Sequence, residues 1–254
     1  MMDRDNKEFG TFYIDKNMRE KGFVFLVKRP SEVENPQILN YADKLYVRAM
    51  RLLSNGVYIS FGRAFLEKSY HLGNHMAGNT LAYGWSVGWF GYIDYNKYVN
   101  IVRYLSVKYQ YPVAMHNYAF AYQQGLGVKK NIHLAKYWYE RAIAAGYVDS
   151  RANLALLYYN ENTPDFNKVI SLVKYCETPS ECDLMGMLYR DGYGVTKDLI
   201  KAFNLFKQAV DGADDPMAIV RLARCYKKGL GVEKDEEKAK ALLKRAKELG
   251  YPLS

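Results

Sequence analysis

The sequence has few cysteines and no long apolar run, and both absences limit what the protein can be. Its three cysteines (Cys176, Cys182 and Cys225) are an odd number and lack the spacing of a metal or redox motif. No apolar run approaches the ~18 residues that a membrane-spanning helix needs. The first residues are polar and no apolar stretch follows them, so a secretory signal is not expected. We therefore expect a cytoplasmic protein in a reducing compartment, with no membrane association.

Acidic residues are also scarce in one part of the chain. The protein has a net charge of +9 and 24 tyrosines, and residues 41–111 hold 8 basic residues, 3 acidic residues and 11 of those tyrosines. An exposed surface of this composition would attract an acidic partner and offer rigid amphipathic contact area. The alternative is that the aromatic residues fill a helical core. The overall composition, 49% hydrophobic and 25% charged, excludes collagen-like and wholly disordered chains.

The chain repeats itself. Residues 185–202 and 222–239 align without a gap at an offset of 37, and residues 118–135 form a third copy. Degenerate copies are marked by Leu81–Gly88, by Leu154–Tyr158 and by a turn at Gly56-Val57. A period in the thirties indicates an array of repeats.

Each copy predicts two helices joined by a turn. The turn reads Gly-x-Gly-Val in the clearest copies, and glycine takes the positive φ of a helix C-cap at little cost. A capping side chain is expected to begin each second helix, which ends at Gly146, Gly212 or Gly250. One such pair cannot bury its apolar face alone, so the copies must stack. The predicted N-caps are Ser60, Asp94, Asn131, Asp165, Asp198 and Asp235.

These copies resemble the Sel-one-like repeat family, relatives of the tetratricopeptide repeats. The match runs through Met185, Gly186, Tyr189, Gly192, Gly194, Val195, Asp198, Lys201, Ala202, Phe206, Ala209 and Gly212. The resemblance implies an all-α fold, a right-handed αα superhelix (a solenoid) of about six two-helix repeats. It also implies a non-enzymatic protein that binds other proteins. The repeats would cover about 41–76, 77–112, 113–150, 151–180, 181–216 and 217–252.

Residues 1–40 precede the array and are charge-balanced. They contain the apolar pentad Phe23–Val27, which could form a strand or a flap over the first helix pair. We interpret the segment as an N-terminal extension that caps the array, because a terminal repeat needs its apolar end covered. A disordered arm that binds a partner is the alternative.

Helical phase predicts which side chains line the concave groove. On the first helix of each repeat, positions two before, two after and five after the leucine position lie on the side away from the core-facing stripe. These side chains would run from aromatic to basic along the array, although some could pack between repeats instead. The predicted partner-binding residues are Tyr83, His116, Phe120, Gln123, Tyr159, Arg190, Arg224 and Lys227.

Two motifs could carry chemistry, and the repeat explains both. Gly84-Trp-Ser86-Val-Gly88 has the spacing of a nucleophile elbow, but Ser86 would lie within a predicted helix rather than on a strand-to-helix bend. His71 and His75 have a metal-ligand spacing, but Gly73 separates them at a helix end. We therefore expect no metal and no cofactor.

The function that these features favour is a non-catalytic scaffold that holds a partner protein in its groove, as an adaptor or an inhibitor. A bacterial immunity protein that blocks a toxin is one form of it, and an acidic partner surface would suit the net charge. The alternative is a helical repeat protein that binds nucleic acid, since basic and aromatic side chains alternate. A serine hydrolase that uses Ser86 is the third possibility.

Overall fold

The computed structural model describes residues 41–54 and 58–252. The interpretations of residues 1–40 and of the turn Gly56-Val57 lie outside the described residues. The described residues form twelve helices and no strand: α1 Tyr41–Ser54, α2 Ile59–His71, α3 His75–Val87, α4 Tyr95–Lys108, α5 Pro112–Gln124, α6 Ile132–Ala144, α7 Ser150–Tyr159, α8 Phe166–Val173, α9 Pro179–Asp191, α10 Leu199–Gly212, α11 Pro216–Lys228 and α12 Glu236–Glu248.

The helices form consecutive pairs. Each odd-numbered helix packs most extensively on the even-numbered helix that follows it. The predicted all-α fold of helical repeats is confirmed, whereas its right-handed twist and the number and bounds of its repeats stay predictions. In the part of the chain that the structure describes, no helix is both long and apolar enough to cross a bilayer.

The chain divides into two compact units. Within the described residues, unit 1 runs to Tyr147 and contains α1–α6, and unit 2 begins at Val148 and contains α7–α12. In unit 1 the core is rich in tyrosine, and the buried Tyr98 hydroxyl donates to the Asn117 carbonyl at 2.7 Å. In unit 2 the core is built around Phe206, Ile219 and Leu222.

The tyrosine-rich segment was interpreted either as an exposed aromatic surface or as part of a helical core, and each interpretation describes some of its tyrosines. Among the 11 tyrosines of residues 41–111, Tyr46, Tyr83 and Tyr98 are buried in the core. Six others are exposed, and they give unit 1 an aromatic surface as well as an aromatic core: Tyr41, Tyr58, Tyr92, Tyr95, Tyr104 and Tyr109.

The second glycine of the three Gly-x-Gly-Val turns lets neighbouring helix pairs approach closely. A Cβ atom on Gly127 would overlap the carbonyl of Tyr95, the first residue of α4, and one on Gly231 would overlap the carbonyl of Leu199, the first residue of α10. On Gly194 it would meet the Cβ atom of Phe166 at 2.7 Å. The turn of one pair therefore packs on the start of the second helix in the preceding pair.

Five of the six predicted N-caps are confirmed. The side chains of Asp94, Asn131, Asp165, Asp198 and Asp235 each accept a hydrogen bond from the backbone N–H three residues later, at 2.9–3.1 Å. The prediction for Ser60 is wrong, because α2 begins two residues earlier than an N-cap at Ser60 requires, with Tyr58 at its N-cap and no capping side chain.

The glycines predicted to end the second helices fall into two groups. Gly146 and Gly250 have left-handed backbones, with φ of 90° and 92°, as a helix end requires. Gly212 instead is the last residue of α10, and the helix ends at Ala213 in an extended conformation. A Cβ atom on Gly212 would lie 2.8 Å from Pro179 Cγ, so close packing on α9 accounts for this glycine.

Candidate functional site

Two of the predicted partner-binding residues, Tyr83 and His116, lie in the core of unit 1 and are each 1% exposed. The Tyr83 ring meets the edge of Trp89 at 5.1 Å, and His116 lies against Tyr139 and Tyr147 at 5.3 and 5.1 Å. Both residues were predicted to line the groove. Neighbouring aromatic rings cover them instead, so they pack within the array.

The other two predictions in unit 1 lie partly exposed on α5. Phe120 packs at the border of the core. Gln123 is half-buried, and its side-chain oxygen accepts a hydrogen bond from the Tyr139 hydroxyl at 2.7 Å.

The four predictions in unit 2 fall on the first helices of its three pairs. Tyr159 is on α7, Arg190 on α9, and Arg224 and Lys227 are exposed on α11. Residues three apart share a helix face, so Lys227 lies beside Arg224. The structure adds further charged groups around them. We call the whole set the arginine cluster: Tyr159, Asp183, Arg190, Asp191, Arg221, Arg224 and Lys227.

Two ion pairs hold this cluster in place. Arg190 donates to both carboxylate oxygens of the neighbouring Asp191, at 2.8 and 2.5 Å. This hydrogen bonding lowers the pKa of Asp191, and it also fixes the guanidinium in a fork geometry. Arg221 Nη1 on α11 donates to Asp183 Oδ2 on α9 at 2.6 Å, which ties the two helices together.

Asp183 is the most buried charge of the cluster, at 9% exposed. Burial raises the pKa of its carboxyl from the usual 3.8 to about 6, although the adjacent Arg221 opposes the rise. Among the described residues, nothing forms a hydrogen bond with its buried Oδ1. A buried acceptor without a partner costs free energy, so this carboxylate is an unfavourable element of the isolated fold.

The cluster has more cations than its own carboxylates can neutralise. Asp183 and Asp191 are already paired with Arg221 and Arg190. Within the described residues, Arg224 and Lys227 form no ion pair. The charge of Arg224 still favours the ionised form of Asp191, and the charge of Arg190 favours the ionised form of Tyr159. The surface therefore presents the accessible Arg224 beside two arginines that are held rigidly, with the accessible Lys227 about one turn further along α11.

Sequence reasoning missed the carboxylates and Arg221. Asp183 precedes Met185 by two residues, as His116 precedes Tyr118, so the phase rule that selected His116 could have found it. Arg221 directly precedes the buried Leu222, and no signal in the sequence distinguishes it from a solvated residue.

The two motifs considered for chemistry have structural roles. Ser86 lies in α3 at 4% exposed, and its hydroxyl donates to the Tyr83 carbonyl at 2.7 Å. His71 ends α2, whereas His75 begins α3 and stacks on Tyr109 at 4.1 Å. Across residues 41–54 and 58–252, no three His, Cys, Asp or Glu side chains are grouped as metal ligands.

The sequence model of the Sel1 repeat matches residues 112–147, 182–214 and 216–251. The chain contains Sel1 repeats. These three matches coincide with the three clearest copies in the sequence and with the pairs α5/α6, α9/α10 and α11/α12. No curated protein matches the sequence.

Three solved structures, one of a Sel1 repeat protein and one with an SLR fold, are similar to this chain. A Sel1 repeat protein from Oxalobacter formigenes is 22% identical, with a TM-score of 0.68 over 80% of this chain and 84% of that one. The protective antigen c5321 of uropathogenic Escherichia coli, with an SLR fold, is 24% identical, with a TM-score of 0.68 over 81% of this chain and 45% of that one. The immunity protein Pa5087 from Pseudomonas aeruginosa is 17% identical, with a TM-score of 0.56 over 85% and 83%.

The raised pKa of Asp183 predicts a dependence of stability on pH. Its folded-state pKa of about 6 lies above the usual 3.8, so its contribution to stability is complete below about pH 4 and is lost as the pH rises through 6. Between about pH 4.5 and 7 the loss amounts to about 2 kcal/mol. Asp183→Asn is therefore expected to flatten the fall in melting temperature over this range.

The measurement is thermal unfolding followed by circular dichroism at several pH values. Asp211→Asn, at an exposed position on α10, is the matched control and keeps the pH profile of the wild type. Parallel profiles for Asp183→Asn and the wild type would contradict the burial effect.

Proposed function

We propose that this Sel1 repeat protein is a non-catalytic scaffold that binds an acidic segment of a partner protein on the arginine cluster. The observation that carries the proposal is the pair of accessible cations, Arg224 and Lys227, which form no ion pair within the described residues. Arg224 lies near Arg190, since both act on the Asp191 carboxylate, and Lys227 lies about one turn further along α11. The Arg190 guanidinium is already oriented by Asp191.

The physical argument is one of pre-organisation. Arg190 and Arg221 are held by carboxylates, so little side-chain entropy remains to be lost when a partner approaches. Tyr159 adds a ring with a polar end, and arginine and tyrosine are the side chains most often responsible for binding energy at protein interfaces. Carboxylates of a partner would pair with Arg224 and Lys227, and charge complementarity would also accelerate the encounter.

An inhibitor is the form of this function that we favour. The likeness of fold to the immunity protein Pa5087 supports it. A chain of net charge +9 suits a target with an acidic surface, which it would block by occlusion. An adaptor that joins an acidic partner to a second protein would use the same cluster.

The test is affinity capture with a charge-reversed variant. The wild type and the double variant Arg224→Glu/Lys227→Glu are used as bait in lysate of the source organism. The matched control is Lys207→Glu/Lys244→Glu, which makes the same charge change on the exposed faces of α10 and α12. We expect one partner to be retained by the wild type and the control, and lost by the cluster variant.

Equal retention by all three baits would refute the role of the cluster. Retained nucleic acid in place of a protein, released by nuclease, would instead support the alternative of a nucleic-acid-binding repeat protein.

A further inference from the structure

Unit 1 carries an aromatic surface that the proposed function does not use. The rings at the end of α2, the start of α3 and the end of α4 form one unbroken chain of contacts, with centroid distances of 4.1–6.3 Å. We call it the tyrosine–histidine platform. Its rings, in order of contact, are His71, Tyr70, Tyr104, Tyr109, His75 and Tyr111.

The platform is partly open to solvent and has exposed apolar neighbours. Tyr104 and Tyr109 are 42% and 38% exposed. Leu72 directly follows His71 and is 48% exposed, and Val107, three residues after Tyr104 on α4, is 61% exposed. Aromatic rings of this kind provide rigid contact area, because a tyrosine side chain loses little conformational freedom on binding.

Lys108 gives the platform a cationic centre. Its ammonium group lies 5.0 and 5.2 Å from the ring centroids of Tyr104 and Tyr109, and it donates to the Tyr104 hydroxyl at 2.7 Å. These hydrogen-bonded rings raise the pKa of Lys108, so its positive charge is secure at neutral pH. The ring contacts hold the ammonium group at a defined place on the surface.

No carboxylate of the segment neutralises this cation. Residues 41–111 hold three acidic side chains, and each has another partner. Asp43 accepts a hydrogen bond from Asn74, Glu67 pairs with Arg63, and Asp94 pairs with Lys97. A cation set among rings without a counter-ion is a site that an incoming carboxylate would complement.

We infer that the tyrosine–histidine platform binds an acidic segment of a protein, in which a carboxylate pairs with Lys108 and flanking apolar side chains contact Tyr104, Tyr109 and Val107. The inference rests on the proposed function only in taking the partner to be a protein, and its site lies in the other unit.

The ring geometry favours a protein segment over a nucleic acid. Two of the five ring contacts are nearly perpendicular, 89° between Tyr70 and Tyr104 and 76° between Tyr104 and Tyr109, so the edge of one ring meets the face of the next. Bases need open parallel faces on which to stack and several cations along the phosphate backbone. The platform offers one ring-bound lysine and edge-on rings, which suit a carboxylate and aliphatic side chains.

The test uses poly-L-glutamate as the probe and the full chain throughout. Affinity is measured at low ionic strength by biolayer interferometry for the wild type, for Lys108→Glu and for Tyr109→Ala. The matched control is Lys130→Glu, which makes the same charge change at an exposed turn of unit 1. We expect Lys108→Glu to weaken binding about tenfold and Tyr109→Ala about threefold, with less than about a twofold effect of Lys130→Glu.

Equal losses for Lys108→Glu and Lys130→Glu would overturn the inference, since they would show that only net charge matters. So would tighter, Lys108-dependent binding of an oligothymidylate of equal charge. A fall in melting temperature for Lys108→Glu with unchanged affinity would show that Lys108 serves the fold alone, and would also overturn it. The variant Arg224→Glu/Lys227→Glu separates the two proposals, because a probe lost only by that variant favours the arginine cluster and rejects the platform.

Discussion

Replacement of Gly231 by alanine is expected to destabilise unit 2 by about 4 kcal/mol, of which about 1 reflects the left-handed backbone and about 3 the overlap of atoms. Gly231 has a φ of 72°, and a Cβ atom there would overlap the carbonyl group of Leu199. Because the obstacle is backbone at the start of α10, no side-chain rotation can relieve it. The two helix pairs would have to separate.

Thermal unfolding of the variant measures this loss. Gly229→Ala is a control in the same turn, since Gly229 has a φ of 68° but its Cβ atom would make only ordinary contacts, at 3.6 Å or more. It should lose only about 1 kcal/mol, the cost of the backbone conformation. Equal losses at Gly229 and Gly231 would mean that close approach contributes nothing to the choice of glycine.

This contrast shows which parts of the fold could be predicted from the sequence. Positive φ and N-caps are local properties, so the turns and five capping residues could be predicted from a few neighbouring residues. Ser60 failed because a capping residue identifies a helix start only within a residue or two. The contacts of Gly231 with Leu199 and of Gly212 with Pro179 join residues distant in the chain, and no local pattern reveals them.

For a similar reason, only some of the residues predicted for the candidate site lie where the sequence placed them. Helical phase placed Arg190, Arg224 and Lys227 on a common side of α9 and α11, and the structure brings Arg190 and Arg224 to the same carboxylate, Asp191, with Arg190 also near Tyr159. It also selected Tyr83 and His116, which are buried because Trp89 and Tyr147, outside the helices concerned, cover them. Phase describes one helix and carries no information about what the turns and neighbouring helices place on it.

Replacement of Phe206 by alanine is expected to destabilise unit 2 by about 3–5 kcal/mol, the usual cost of removing a buried aromatic ring. Phe206 on α10 is fully buried, at 0% exposed, within the core of unit 2. Urea unfolding followed by circular dichroism measures the loss. Ile200→Ala is the control on the same helix, because Ile200 is 65% exposed and its truncation should cost less than about 0.5 kcal/mol.

The effects on stability of substituting Phe206 and Gly186 should be coupled. A Cβ atom on Gly186 would lie 2.7 Å from Phe206 Cε1, so Gly186→Ala alone should destabilise the unit by forcing the ring to move. In the double variant the ring is absent and the added methyl group occupies part of the space it leaves. The double variant should therefore lose at least about 1 kcal/mol less than the sum of the single variants, as expected for residues in contact. Additive losses would show that Gly186 is not required by the ring that packs on it.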